Sequence, residues 1–254
     1  VYIEDTKTGK KTKILSKGYK NNLQSTDFNY PLLAWKPNGE ELSIIFEQRD
    51  VVKFFTYDTK TRKEKVVNFS PEFQRVYSMA YLNNNDMVIS AATKGFSDIF
   101  IYKTKTTQNE RITNDIYDDL DAQVVNLFNR KGIVFTSNRP DTSLSEVKLD
   151  SILPTLKSDV FYYPPEQRPD ALVRVTQTPE LNERGPIGID STWIGWLSEQ
   201  NGVYNKQIGH YYEEIVGYRK ELTYADDLKI VVAQDSILSA KDSVGLQKVT
   251  EIPI

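Results

Sequence analysis

The sequence contains no cysteine, a single histidine and no long run of apolar residues. Without cysteine the protein has no disulfide and no thiolate metal site, and one histidine leaves too few ligands for a zinc or copper centre. A membrane-spanning helix needs about 18 or more consecutive apolar residues, so no membrane span is predicted. The missing cysteines do not choose between a bacterial cytosol and a periplasm.

The sequence also lacks a large excess of positive or negative charge. The 32 Lys and Arg residues are interleaved with 35 Asp and Glu residues, which gives a net charge of −3. A nucleic-acid-binding protein usually shows a basic face, so no nucleic-acid partner is predicted. A Ser-His-Asp triad would have to use His210, and no G-x-S-x-G segment accompanies it. We therefore predict no catalytic residues and no enzyme activity.

What the chain does contain is tyrosine, phenylalanine and β-branched residues in a repeated pattern. Three runs place a tyrosine before a polar T-K-T turn and a basic return stretch: VYIEDTKTGKKTKIL (1–15), FFTYDTKTRKEKVVNF (54–69) and IFIYKTKTTQNERIT (99–113). A looser copy with a proline-rich turn occupies 159–176. Each run predicts a β-hairpin. Because Val1 is not an initiator methionine and the chain starts within a predicted strand, we expect a piece of a longer protein.

A second hairpin pattern alternates with the first. An apolar pair, an Asn/Gly/Asp turn and a β-branched strand recur at 34–47, 80–92, 126–139 and 194–205. Two hairpins in about 45 residues are typical of one four-stranded β-propeller blade, whereas a β-sandwich would need the shared period to be a coincidence. The predicted fold is therefore all-β, a β-propeller with about four visible blades and an incomplete ring.

The repeats also predict the domain organisation. Residues 1–205 form the propeller, with an insertion at 141–158. After this point the pattern fades, and 206–254 is expected to be a degenerate blade or an extended C-terminal segment.

The repeated residues resemble a known family. AWKPNGEELSIIFE (34–47) and RITNDIYDDLDAQVVNLFNRKGIVFTSNRP (111–140) resemble the TolB-like, or PD40, type of WD40-like repeat. The Asn and Lys richness and the insertions resemble periplasmic TolB-like proteins of Bacteroidota. The resemblance implies a periplasmic location and a non-catalytic scaffold that binds other envelope proteins. It also implies peripheral association with an outer-membrane secretion or transport assembly.

An acidic run before the third blade is the candidate ion site. Asp118, Asp119 and Asp121 supply carboxylate oxygens, the ligands that Ca²⁺ prefers, although their spacing is not that of an EF-hand. One alternative is that one Asp accepts backbone N–H bonds in a turn while the others are solvated. Another, which the resemblance implies, is that Asp119 or Asp121 lies at the mouth of the central channel. Apart from Ca²⁺ no cofactor is predicted. Arg139 nearby is expected to tie adjacent blades together or to contact a ligand.

The insertion is the candidate partner contact. It carries the apolar residues Leu144, Val147, Leu149, Ile152 and Leu153, and 144–153 predicts a short amphipathic helix. Long loops on rigid scaffolds often carry function, so a protein partner is expected here. A plug over one end of the propeller channel is the alternative.

Two other functions stay open at this point. The chain is a propeller that gates a prolyl-oligopeptidase-like hydrolase encoded elsewhere in the protein, or it binds or hydrolyses carbohydrate in its central channel. The second needs paired carboxylates about 5–9.5 Å apart, which the sequence cannot place.

Overall fold

The chain folds into strands joined by turns, and the described part contains no helix. The computed structural model describes residues 1–15, 31–48, 51–149, 153–212, 217–226, 228–234, 236, 244 and 246–253. The prediction of an all-β fold is confirmed. Within the described residues, no helix is long and apolar enough to cross a membrane. The chain divides into two units, Val1–His210 and Tyr211–Ile254.

The first unit consists of antiparallel sheets whose strands follow one another in chain order. The N-terminal hairpin contains β1 (Tyr2–Glu4) and β2 (Lys11–Lys13). The first blade contains β3 (Leu32–Trp35), β4 (Glu41–Gln48), β5 (Val51–Asp58) and β6 (Glu64–Asn68). The second blade contains β7 (Arg75–Tyr81), β8 (Asp86–Thr93), β9 (Phe96–Lys103) and β10 (Gln108–Arg111).

The next two sheets continue this order. The third blade contains β11 (Asp119–Leu127), β12 (Arg130–Ser137), β13 (Asp159–Tyr163) and β14 (Val173–Arg174). The fourth blade has three described strands, β15 (Asn182–Gly188), β16 (Trp193–Gln200) and β17 (Val203–His210). Four-stranded sheets in meander order are the predicted blades, and the described strands of the first unit do not form a closed ring.

Successive side chains in the middle strands point to opposite faces of a blade. In β4, Ile44 packs against Ile14 of the N-terminal hairpin region, whereas Ile45 packs against the second blade. In β8, Ile89 faces the first blade and Val88 faces the third. Side chains of a strand alternate between faces, so a run of consecutive apolar residues is what a sheet covered on both sides requires.

The first strands of neighbouring blades lie side by side. β3 lies next to β7, β7 next to β11, and β11 next to β15. We call this row of four strands the hub. Stacked blades with their first strands at a common centre are the arrangement of a β-propeller, so the predicted fold is confirmed.

The T-K-T runs form hairpin turns, as predicted. The carboxylate of Asp5 accepts hydrogen bonds from the amides of Lys7 and Thr8, and that of Asp58 accepts them from Lys60 and Thr61. These backbone hydrogen bonds lower the pKa of both carboxyls, because they favour the ionised form. An aspartate that accepts two amides at the start of a turn fixes the local chain direction.

Two details of the sequence prediction are wrong. Residues 194–205 lie in β16 and β17 rather than in the first two strands of a blade, because the fourth blade starts earlier, with β15. The expected helix over 144–153 is not formed at 144–149 or at Leu153. Ser143 instead bridges Ala171, which holds the start of the insertion extended. Ile152 lies outside the described residues.

The second unit contains one antiparallel sheet. Its strands are β18 (Tyr218–Tyr224), β19 (Lys229–Ala233) and β20 (Leu246–Pro253), with β18 in the middle. The expectation that 206–254 is a degenerate blade or an extended segment stays a prediction. The division of the chain falls after His210, close to the expected boundary at 205.

A buried hydrogen bond between the first two blades provides a test of their packing. The hydroxyls of Ser43 and Tyr81 lie 2.6 Å apart, and burial raises the pKa of Tyr81 to about 12. Tyr81→Phe leaves the Ser43 hydroxyl without its partner, so we expect the free energy of unfolding in urea to fall by about 1–3 kcal/mol. Tyr102→Phe is the matched control, since Tyr102 is buried and makes no side-chain hydrogen bond with the described residues. An equal loss in both variants would contradict this role for Tyr81.

Candidate functional site

The predicted calcium ligands do not converge. The Asp118 carboxylate accepts a hydrogen bond from Ser97, and the Asp121 carboxylate accepts one from the amide of Gly185. Asp119 is fully buried at the start of β11. In the described part of the chain, the acidic group whose oxygens lie within 4.8 Å of one another contains Asp119 but neither of the other two. Its other members are Asp98 and Asp115.

Arg139 pairs with two members of this acidic group. Its Nη2 lies 2.8 Å from Oδ2 of Asp119 and 2.9 Å from Oδ2 of Asp115. Its Nε donates to the Ser137 hydroxyl and its Nη1 donates to the carbonyl of Ser143. Asp115 precedes the third blade and Arg139 follows β12, so the guanidinium joins a connector between blades to the blade that follows. The described side-chain partners of Arg139 lie in the third blade and in the connector before it, so the expectation that Arg139 ties adjacent blades together stays a prediction. The cluster is closed by its own ion pairs.

Burial controls the ionisation of this cluster. Removal from water raises the pKa of Asp119 to about 7, against the opposing effect of Arg139, and the Asp115 charge raises it further. Burial also raises the pKa of Asp98, although the guanidinium of Arg111 opposes this shift. Three carboxylates therefore face two guanidinium groups in a site with little access to water.

The ion pairs belong to a repeated element that the sequence prediction did not identify. In the second blade Asp98 pairs with Arg111, and in the third blade Asp159 pairs with Arg174 at 2.9 Å. The signal was present in the sequence as SDIF and SDVF (97–100 and 158–161) followed by RIT and RVT (111–113 and 174–176). In both copies the threonine hydroxyl accepts the amide of the residue after the aspartate.

A second acidic arrangement recurs between the first two strands of the third and fourth blades. Asp119 pairs in register with Ser137, and Glu183 pairs in register with Ser198. The Glu183 carboxylate accepts hydrogen bonds from the hydroxyls of Ser198 and Thr178. Acidic residues of this kind therefore recur in successive blades. We call Asp98, Asp115, Asp119, Asp159 and Glu183, together with their arginine and hydroxyl partners, the polar seam.

The insertion residues have different environments. Leu144 packs against the core shared by the second and third blades, and Val147 is half-buried. Leu149 and Leu153 are exposed. The expectation that these residues contact a partner stays a prediction.

A pocket of about 290 Å³ lies at the hub. Its walls come from all four first strands, and we call it the hub pocket. The lining residues are Leu32, Leu33, Tyr77, Ser78, Met79, Asp121, Gln123, Gly185, Pro186 and Ile187.

Backbone irregularities shape this pocket. The register shifts between Val76 and Ser78, between Leu120 and Gln123, and between Arg184 and Ile187. Each shift falls in the first strand of a blade, and of the residues within the shifts Tyr77, Asp121, Gly185 and Pro186 line the pocket, whereas Ala122 lies in the core. A β-bulge turns side chains away from the regular alternation and is common beside binding sites. Asp121 has a φ of 57°, a left-handed conformation that is uncommon for residues other than glycine.

Two polar groups in the hub pocket keep unused bonding capacity. The Asp121 carboxylate accepts one hydrogen bond, over 3.1 Å from Gly185, and forms no ion pair with a described residue. The Ser78 hydroxyl is buried and has no hydrogen-bond partner in the described structure. This differs from the polar seam, where the carboxylates of Asp98, Asp119 and Asp159 pair with arginines.

Comparison with known proteins supports the fold and goes no further. No family model matches the sequence, and no curated protein matches it significantly. Among solved structures, the chain is similar to TolB from Acinetobacter baumannii, with 12% identity and a TM-score of 0.56. The match covers 82% of this chain and 45% of TolB.

Two peptidases are similar to the chain as well. A Mycobacterium tuberculosis puromycin-hydrolyzing peptidase matches at 10% identity and a TM-score of 0.51, over 80% of this chain and 34% of its own. The acylaminoacyl peptidase of Pyrococcus horikoshii matches at 12% identity and a TM-score of 0.50, over 92% of this chain and 40% of its own. The chain thus spans less than half the length of these structures.

The polar seam predicts a specific pH dependence of stability. The pKa of Asp119 is about 7 in the folded protein and near 3.8 when unfolded, so the folded state binds more protons between these values. Its contribution to stability therefore decreases as pH rises from about 4 to 7, by at most about 1.4 kcal/mol per unit. Asp119→Asn removes this decreasing contribution, so the slope of the free energy of unfolding against pH should be more positive in the variant than in the wild type between pH 4 and 7.

Urea unfolding at several pH values between 4 and 8 measures this difference. Asp118→Asn is the control, because it leaves the Asp119 carboxyl in place and should keep the wild-type slope. Identical slopes in the wild type and in Asp119→Asn would show that Asp119 does not titrate in this range.

Proposed function

We propose that this chain is a non-catalytic propeller that binds another protein through the hub pocket, as a scaffold in the bacterial cell envelope. The observation that carries the proposal is the contrast between its two polar sites. The aspartates of the polar seam pair with the protein's own arginines, and only Oε2 of Glu183 there lacks a described partner. In the hub pocket, a carboxylate without an ion pair and a hydroxyl without a described partner adjoin exposed apolar side chains.

The composition of the hub pocket suits a polypeptide segment. Leu33, Tyr77 and Ile187 line it and are 51%, 37% and 53% exposed. Exposed apolar side chains that surround a few polar groups are typical of sites that bind side chains of a partner. A pocket of about 290 Å³ accommodates one or two side chains rather than a large ligand.

The cellular setting in this proposal comes from the TolB resemblance. The repeat pattern and the similarity to TolB support a TolB-like protein of the periplasm, with other envelope proteins as partners. A place in an outer-membrane secretion or transport assembly of Bacteroidota, and a PD40 origin of the repeats, belong to the same proposal.

A second candidate is a propeller domain that gates a peptidase. Two similar structures are peptidases, and the chain covers 34% and 40% of them. This candidate requires a hydrolase domain elsewhere in the same protein. The full-length sequence distinguishes the two, since a hydrolase domain next to this chain would favour the gating function.

Capture from an envelope fraction, followed by a matched pair of variants, tests the scaffold function. Ile187 lines the hub pocket and Ile189 does not, yet both are 53% exposed. Once mass spectrometry identifies the captured protein, we expect Ile187→Arg to weaken its binding at least about tenfold, which corresponds to about 1.4 kcal/mol. Ile189→Arg should bind within about twofold of the wild type.

Two outcomes would contradict the proposal. A wild-type chain that stays a monomer without a partner in the envelope fraction would argue against a scaffold. A partner whose binding is equally insensitive to Ile187→Arg and Ile189→Arg would argue against the hub pocket.

A further inference from the structure

We propose that the hub pocket recognises a primary ammonium group on an aliphatic stem, of the kind found on a lysine side chain. The inference deepens the proposed function and rests on it only in placing the ammonium on a partner polypeptide. It depends on three features of the pocket, which are an unpaired carboxylate, an unpartnered hydroxyl and an apolar wall.

The carboxylate determines the charge of the ligand. Asp121 is half-buried in the bulge of β11, and its Oδ2 accepts the Gly185 amide. An ionised carboxylate accepts about four hydrogen bonds, so most of its capacity remains. Arg75, a basic residue of the neighbouring strand β7, stacks on the Tyr77 ring at 5.5 Å and does not line the pocket. A ligand that brings a positive charge would satisfy Asp121.

The buried hydroxyl indicates a polar contact that the described structure does not supply. Ser78 is 8% exposed, lines the pocket and has no hydrogen-bond partner among the described residues. A buried hydroxyl without a partner costs stability, so a ligand that donates to the Ser78 hydroxyl would remove this cost. The side-chain amide of Gln123 offers a further acceptor in the same lining.

The geometry favours an ammonium over the other common cations. An arginine guanidinium presents its donors in one plane and pairs best with the two oxygens of a single carboxylate, whereas the acceptors of this lining belong to three side chains, Ser78, Asp121 and Gln123. A calcium ion requires six or more oxygen ligands, whereas the lining contains a single carboxylate. An ammonium has three N–H donors in a compact group, and its methylene stem can lie against Leu33 and Ile187.

The backbone at Asp121 allows a sharp test. Its φ of 57° is tolerated by asparagine, so Asp121→Asn keeps the bulge and an oxygen for the Gly185 amide while it removes the charge. Ser78→Ala removes the unpartnered hydroxyl, so the melting temperature should be unchanged or higher. Glu166→Gln is the control, since Glu166 is exposed in the turn between β13 and β14, away from the pocket lining.

Titration of the full chain with N-acetyl-lysine amide, followed by ¹H–¹⁵N NMR, measures binding directly. We expect saturable shifts at the amides of Ser78, Asp121 and Gly185. Asp121→Asn should weaken binding at least about tenfold and Ser78→Ala about threefold or more, whereas Glu166→Gln should leave it unchanged. The Nε-acetylated form of the same probe, which lacks the charge, should not bind. 1-Aminohexane should shift the same amides if a free amine suffices, whereas binding by the lysine amide alone would indicate a peptide-borne ammonium.

Several results would overturn the inference. Equal binding of the charged and Nε-acetylated probes would show that charge is not recognised, and full affinity in Asp121→Asn would exclude this carboxylate. Shifts of these amides caused by Ca²⁺ and not by either amine would assign the pocket to a metal ion. If no amine binds but the captured envelope protein still depends on Ile187, the scaffold function stands and the ammonium inference fails. If the amines bind and no protein partner exists, the ammonium inference stands and the scaffold function fails.

Discussion

The second and third blades of this protein bury both of their faces, and the rest of the structure depends on that packing. The middle strands β8 and β12 are buried along almost their whole length, and adjacent residues such as Val88 and Ile89 contribute to different cores. Burying one such side chain stabilises the protein by about 1.5–3 kcal/mol. A single sheet cannot obtain this on both faces, so the blades stack, and stacking places their first strands together at the hub.

The stacking also explains the two kinds of polar site. Charged groups between blades are withdrawn from water, and they are stable there only when paired and hydrogen-bonded. Arg139 with Asp115 and Asp119, and Arg174 with Asp159, meet that condition. At the hub, the bulges of the first strands turn Asp121 into a pocket where its carboxylate has no such partner. Acidic residues close together in the sequence therefore have different environments, since Asp119 pairs with Arg139 in the polar seam whereas the Asp121 carboxylate forms no ion pair with a described residue.

Much of the fold could be predicted from the sequence, because the repeated hairpins carry their own local signals. Asp5 and Asp58 predict turns, because an aspartate at the start of a turn accepts backbone amides close to it in the sequence. The consecutive apolar residues of β4 and β8 predict strands that are buried on both faces. The start of the fourth blade could not be placed, because the long connection before β13 disturbs the period. The prediction of a helix at 144–153 was wrong, because a few apolar residues in a connection do not determine whether it is helical or extended.

The candidate site was harder to predict for a physical reason. Ser78, Asp121 and Gly185 lie on three different blades, and bulges rather than residue spacing bring them to one pocket. The acidic run at 115–121 predicted a calcium site, because the sequence alone does not show that Arg139 pairs with two of its carboxylates. The polar seam does have a signal in the sequence. The segment SDIF recurs as SDVF, and RIT recurs as RVT, at positions that pair an aspartate with an arginine in each blade.

Hydrogen exchange of the middle strands tests the requirement for two covered faces most directly. β8, β12 and β16 are each hydrogen-bonded to a strand on both sides, but Leu197 of β16 is 38% exposed whereas β8 and β12 are almost entirely buried. If coverage of both faces stabilises a blade, mass spectrometry should find much slower amide exchange in β8 and β12 than in β16. Equal protection of the three strands would show that backbone hydrogen bonding alone stabilises each sheet, and would contradict the role assigned to stacking.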